Sequence, residues 1–111
     1  MDQLTRYRQI ARKVIEGYAR HRLSHGQVES EAVIDPARDH YELMQVGWDG
    51  ARRVHGSVIH FDIIDGKFWI QYDGSDRPVV DELEEAGVPK NDIVLAFQPP
   101  ERRPHTGYAV S

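Results

Sequence analysis

The Asp65-Gly66 pair limits what this chain can fold into more than any other feature, because strand-like runs flank it on both sides within the stretch Trp48 to Asp73. A two-residue Asp-Gly connection favours a type I′ turn, since both central residues take positive φ and these two tolerate it. That turn predicts a register. Ile64 lies opposite Lys67, Ile63 opposite Phe68, Asp62 opposite Trp69, Phe61 opposite Ile70, His60 opposite Gln71 and Ile59 opposite Tyr72. Side chains alternate across a strand, so the pairs sort onto two faces. Ile59, Phe61, Ile63, Phe68, Ile70 and Tyr72 make a core face. Val58, His60, Asp62, Lys67, Trp69, Gln71 and Asp73 make a polar face carrying one large, exposed indole. Antiparallel sheets commonly bury one face and leave the other to water or a partner. A Trp among His, Asp and Gln is the kind of surface that interfaces favour. The alternative is a solvated face whose Trp69 shields its own strands.

With 111 residues, of which 40% are hydrophobic, the chain is expected to form one domain with a real core. There is no cysteine, which excludes disulfides and thiol chemistry. No apolar run reaches the roughly 18 residues a membrane span needs. The first residues are polar and charged with no secretory pattern, so the cytoplasm is the expected location. A net charge of −4 argues against non-specific nucleic-acid binding. The charge is uneven, however. Arg6, Arg8, Arg12, Lys13, Arg20 and Arg22 face only Asp2 and Glu16 near one end, while Asp73, Asp76, Asp81, Glu82, Glu84 and Glu85 face only Arg77 later on. Such polarity suits head-to-tail homo-oligomers, an oriented partner, or DNA.

Leu4, Tyr7, Ala11, Val14 and Tyr18 recur at spacings of three and four, with Ile10 and Ile15 beside them. This predicts an amphipathic helix from about Asp2 to Arg20, broken by Ser24-His25-Gly26. Gln27 to Asp35 alternates, with Val28, Ala32 and Ile34 on one side and Gln27, Glu29 and Glu31 on the other, and Asp35-Pro36 ends that strand. Asp39 to Trp48 is a second strand with apolar residues on both faces, so it is either covered on both sides or bulged. A two-residue Asp49-Gly50 turn would set Val46 against Arg53 and mix core with surface. A turn through Asp49-Gly50-Ala51-Arg52 is expected instead, leaving Arg52-Arg53 beside Trp48 as a charged loop tip. Ser75 or Asp76 caps a second helix with Pro78 in its first turn, Val79, Val80, Leu83 and Ala86 as its buried stripe, and Gly87 and Pro89 as its stop. Ile93 to Phe97 is a strand or a single helical turn, and Tyr108-Ala109-Val110 is a candidate edge strand.

The six histidines invite a metal reading. His55 and His60, five apart on one strand, should project to opposite faces. His60 and Asp62 share a face with Gln71, but two ligands are too few without a chain-distant third. No metal and no cofactor is predicted. No phosphate-binding glycine loop, metalloprotease helix or nucleophile elbow is present, and Ser57 has no local base. The chain carries no positive mark of an enzyme.

At Val46-Gly47-Trp48-Asp49-Gly50, Arg52-Arg53-Val54-His55-Gly56, His60 to Lys67 and Trp69-Ile70-Gln71 the chain resembles the XisI family, the fdxN-element excision controlling factors of cyanobacteria. Ala86-Gly87-Val88-Pro89-Lys90, Asp92 to Leu95, Pro99-Pro100-Glu101-Arg102, His105-Thr106-Gly107 and the opening Leu4-x-x-Tyr7-Arg8 extend the resemblance over nearly the whole chain. Ser57 stands where relatives often have cysteine, and Ser75-Asp76 where they often have Thr-Glu. The resemblance implies one XisI-like domain over 1–111, acting beside a companion, XisH, in recombinase-driven excision of a DNA element during heterocyst differentiation. XisH is similar to nucleases of the restriction-endonuclease-like fold. The resemblance carries no catalytic residue onto this chain.

The combined expectation is an α+β fold in which an N-terminal helix packs on an antiparallel meander of about four strands, followed by a second helix and a short C-terminal segment. The expected role is a non-enzymatic controlling factor that binds a nuclease-like partner. Its predicted contacts are Trp48, Asp49, Arg52, Arg53, Trp69, Gln71, Pro99, Pro100, Glu101 and Arg102. The alternatives are a direct DNA-binding factor using Arg8, Arg12 and Lys13, and a small enzyme or metal protein around His60, Asp62 and Gln71.

Overall fold

The computed structural model describes residues 1–20 and 27–111, so the predicted helix break at Ser24-His25-Gly26 lies outside the described residues. Helix α1 (Gln3–Ala19) begins where Asp2 accepts the Thr5 backbone N–H at 2.7 Å. This satisfies one of the donors a helix leaves free at its start. Strands β1 (Gln27–Asp35), β2 (His40–Asp49), β3 (Arg52–Ile64) and β4 (Lys67–Asp73) form the expected antiparallel meander. Helix α2 (Val79–Glu85) then returns the chain to a short strand β5 (Ile93–Leu95), which pairs parallel with β4. The sheet therefore has five strands in order β1-β2-β3-β4-β5, not four. Five residues of local pattern could not distinguish β5 from a helical turn; its partner strand decides it. A bridge between Val94 and Ala109 covers the outer edge of β5.

Tyr7, Ala11 and Ile15 of α1 are fully buried over Tyr41, Leu43, Ile59, Phe61, Ile63, Phe68 and Ile70 of the sheet. Rings run continuously through this core: Tyr41 lies 5.5 Å from Phe61, Phe61 5.8 Å from Phe68, and Phe68 5.0 Å from Tyr7. Arg8 of α1 reaches the β1–β2 turn and pairs with both oxygens of Asp39, at 2.7 and 3.1 Å. The two helices meet on this same side, where the Tyr18 hydroxyl donates to the Arg77 carbonyl. Burial pushes the Tyr18 hydroxyl up to about 12, whereas an unfolded tyrosine ionises near 10. The folded state thus keeps its proton longer. That contribution is complete below pH ~10 and is lost as pH rises from ~10 to ~12. Urea unfolding across this window should show falling stability, with a shallower fall in Tyr18→Phe.

The Asp65-Gly66 turn sets the four pairs nearest to it as expected, with Asp65 at φ 51° and Gly66 at φ 78°. Beyond Phe61–Ile70 the register slips, because Gln71 is an extra residue on β4. His60 pairs with Tyr72 and Ile59 with Asp73, not with Gln71 and Tyr72. Tyr72 therefore leaves the predicted core and is 52% exposed. Asp73 turns to the helix side, where its carboxylate accepts the Val79 N–H at 2.8 Å and the Ser75 N–H at 3.0 Å. Asp73, and not Ser75 or Asp76, satisfies the start of α2. Of the predicted α2 stripe, Val79 and Leu83 are buried, Val80 partly so, and Ala86 is exposed.

A second bulge lies between β2 and β3. The turn through Asp49-Gly50-Ala51-Arg52 sets Asp49 opposite Arg52 and Met44 opposite Ser57, after which Leu43 pairs with Ile59 and Val58 is left over. Val58 consequently packs against the core instead of joining the polar face. The same slip brings His55 and His60 onto one face, contrary to simple alternation. Among the described residues no helix is long and apolar enough to cross a membrane.

Candidate functional site

The sheet face turned away from the helices carries the chemistry. His40 on β2 lies directly opposite Asp62 on β3, and Glu42 directly opposite His60. These four side chains form a square in which the histidines occupy one diagonal and the carboxylates the other. His40 Nδ1 is 3.0 Å and His60 Nε2 is 3.1 Å from the same oxygen, Asp62 Oδ1. The two imidazole rings lie 4.4 Å apart. Gln71 Nε2 reaches the other Asp62 oxygen at 3.4 Å, and Glu42 faces the outer ring nitrogen of His40 at 3.5 Å. All of these groups are partly buried, and all stand on hydrogen-bonded strands.

Trp69 flanks this square opposite Asp62. It is not the exposed indole that the alternation suggested. Its Nε1 is buried with no hydrogen-bond partner among the described residues, and the Arg103 guanidinium stands 5.6 Å from its ring. Arg103 is itself held by the carbonyls of Gln98 and Ala96, at 3.0 and 3.3 Å. The segment from Ala96 to Arg103 is thereby tied to the edge of the polar face. Pro100, Glu101 and Arg102 point their surfaces to solvent, and Pro99 is half-buried.

The second group of predicted contacts sits at the β2–β3 tip. Trp48 is 49% exposed, and the Arg53 guanidinium lies 5.2 Å from its ring. Arg52 is 72% exposed and pairs with Asp49 at 3.4 Å. Cross-strand pairing of Trp48 with Arg53 places both on one face of the ribbon. Asp62 lies nine positions beyond Arg53 on β3, roughly 30 Å at the rise of a strand. The structure therefore resolves the predicted contacts into two patches: Trp48, Asp49, Arg52 and Arg53 at the tip, and Trp69, Gln71 and Pro99 to Arg102 at the far end. Of the predicted DNA contacts, Arg8 is held by Asp39 and Arg12 lies 3.5 Å from Glu16, while Lys13 lines a groove of about 530 Å³ between α1 and α2.

His40, Glu42, Tyr72 and Arg103 belong to this face but were not singled out from sequence. The only signal for His40 and Glu42 was a polar residue at alternate positions of β2, and using it required the β2–β3 register.

Two α-helices and a five-stranded sheet among the described residues, with a polar outer sheet face and an arginine–tryptophan hairpin tip, define an α+β protein. The chain belongs to the XisI family: the family described as XisI protein matches residues 1–110. It is similar to a XisI-like protein from Anabaena variabilis, at 42% identity and TM-score 0.89, covering 97% of this chain and 99% of that one. It is also similar to the fdxN element excision controlling factor XisI from Anabaena variabilis, at 36% identity and TM-score 0.82, covering 99% of this chain and 100% of that one. No curated protein matches it.

Proposed function

We propose that this chain is a non-enzymatic controlling factor for excision of a DNA element, and that it acts by docking on a nuclease-like partner of the XisH kind. The role in excision rests on the relative that bears that name and shares the fold over nearly its full length. The observation that carries docking is the hairpin tip. A half-exposed Trp48 is overlain by Arg53, with the largely exposed Arg52 beside it, at the end of the β2–β3 hairpin. Tryptophan and arginine dominate the residues whose loss costs binding most. Trp48, Asp49, Arg52 and Arg53 are all exposed and none belongs to the buried core, so changes at the two arginines should leave the fold intact.

Arg52→Ala together with Arg53→Ala should weaken the complex with the XisH-like companion about tenfold or more, while the melting temperature of the free chain stays unchanged. Affinity measured by calorimetry or biolayer interferometry checks this, and unchanged affinity removes the tip from the interface. Direct DNA binding through α1 would have to do without Arg8, whose guanidinium is held by both oxygens of Asp39. A phosphate-contacting helix would show affinity for duplex DNA that falls steeply with salt.

A further inference from the structure

We propose that His40, His60 and Asp62 form a binding site for a divalent transition metal of the zinc class. The donors are His40 Nδ1, His60 Nε2 and Asp62 Oδ1, whose ligating atoms all lie within 4.8 Å of one another. The two nitrogen-to-oxygen separations are 3.0 and 3.1 Å. Metal–ligand bonds of about 2.0–2.2 Å place neighbouring donors of a tetrahedral or octahedral ion roughly 3.0–3.4 Å apart. Each imidazole nitrogen thus already stands at that spacing from Asp62 Oδ1, and the two nitrogens, within 4.8 Å of each other, need to close only a short gap around an ion. Two imidazoles and one carboxylate suit zinc and its neighbours, whereas calcium and magnesium take oxygen donors.

The surroundings are those of a ligand set as well as of a hydrogen-bonded cluster. In metal sites a ligating histidine gives its other ring nitrogen to a carboxylate or carbonyl, and a ligating carboxylate is itself hydrogen-bonded. Glu42 faces Nε2 of His40, the nitrogen pointing away from the proposed ion. Gln71 reaches Asp62 Oδ2, leaving Oδ1 for the ion. The donors stand on β2 and β3 in direct cross-strand register, so little ordering is needed on binding. Three protein ligands leave a coordination position for water or for a donor supplied by a bound partner. This site is independent of the docking role proposed for the hairpin tip, which lies roughly 30 Å away along β3.

The test uses the full chain and Zn²⁺ alone. Equilibrium dialysis with elemental analysis should give one ion per chain. That ion should be lost in His40→Ala together with His60→Ala, and retained in His55→Ala, which lies on the same face toward the tip. Glu42→Gln, acting through His40, should keep the stoichiometry and weaken affinity about tenfold. Co²⁺ in place of Zn²⁺ should give visible absorption bands of a four- to six-coordinate nitrogen–oxygen site in the wild type. If the double variant fails to fold, imidazole NMR of the wild-type chain decides the matter: Zn²⁺ should move the His40 and His60 resonances and leave His55 and His105 in place. Absence of stoichiometric binding, equal binding in a folded double variant, or shifts confined to other histidines would overturn the assignment.

Discussion

Gly47→Ala should be among the most damaging single substitutions in the chain. Gly47 pairs with Val28 at the β1–β2 contact and has φ 154°. A methyl group there would lie 2.0 Å from the Gln27 carbonyl oxygen and 2.7 Å from the Val28 Cα. Both are backbone atoms, so no side chain can rotate away, and β1 must separate from β2 to admit it. A strand glycine approached closely by a neighbouring backbone is a position where only glycine fits. The expected cost is about 3 kcal/mol or more, read as a shift in the urea midpoint with loss of amide protection concentrated in β1. Gly56, in the same ribbon, provides the control. It has open space at its Cβ position, and Gly56→Ala should be close to neutral. Equal costs at the two positions would refute the backbone clash.

The second large effect is expected at Phe61. This ring is fully buried toward the C-terminal end of β3, between Tyr41 and Phe68, and through Phe68 it links the sheet to Tyr7 on α1. Phe61→Ala removes the ring and leaves a void that strands on both sides hold open. Truncations of this kind cost about 3–5 kcal/mol. Phe61→Leu keeps most of the volume and should cost clearly less. Unfolding monitored by tryptophan fluorescence separates the two. A small loss in the alanine variant would mean that the core collapses around the site, and the continuous ring packing would then not be what fixes α1 on the sheet.

The sheet presents a histidine–carboxylate square only because the bulge at Val58 adjusts the β2–β3 register. Counted from the Asp49–Arg52 turn without a slip, His40 would fall opposite Phe61, and Asp62 would face Asp39 outside the strand. The extra Val58 moves the far half of the ribbon by one residue, so that His40 meets Asp62 and Glu42 meets His60. The extra Gln71 does the same on the other side, freeing Asp73 to cap α2 and bringing Tyr72 beside His60. Bulges bend strands and re-aim side chains. Here they assemble the outer-face cluster from three strands.

Local chemistry alone determined the helix from its three-and-four spacing, the β1 strand from its alternation, the Asp65-Gly66 turn from its positive-φ residues and the four pairs nearest to it. It also determined the exposed Trp48, Arg52 and Arg53, because a turn places its neighbours at a tip whatever lies elsewhere. All of these depend on interactions within a few residues. Tertiary structure decided β5, which exists by pairing with β4, and the partial burial of Trp69 beneath Arg103. It also decided the faces of Val58, Tyr72 and Asp73, and the meeting of His40 with His60 and Asp62. A register propagates outward from a turn only until a bulge interrupts it. Where the bulge falls is set by which side chains the core and the α2 terminus require, and those partners are distant in sequence.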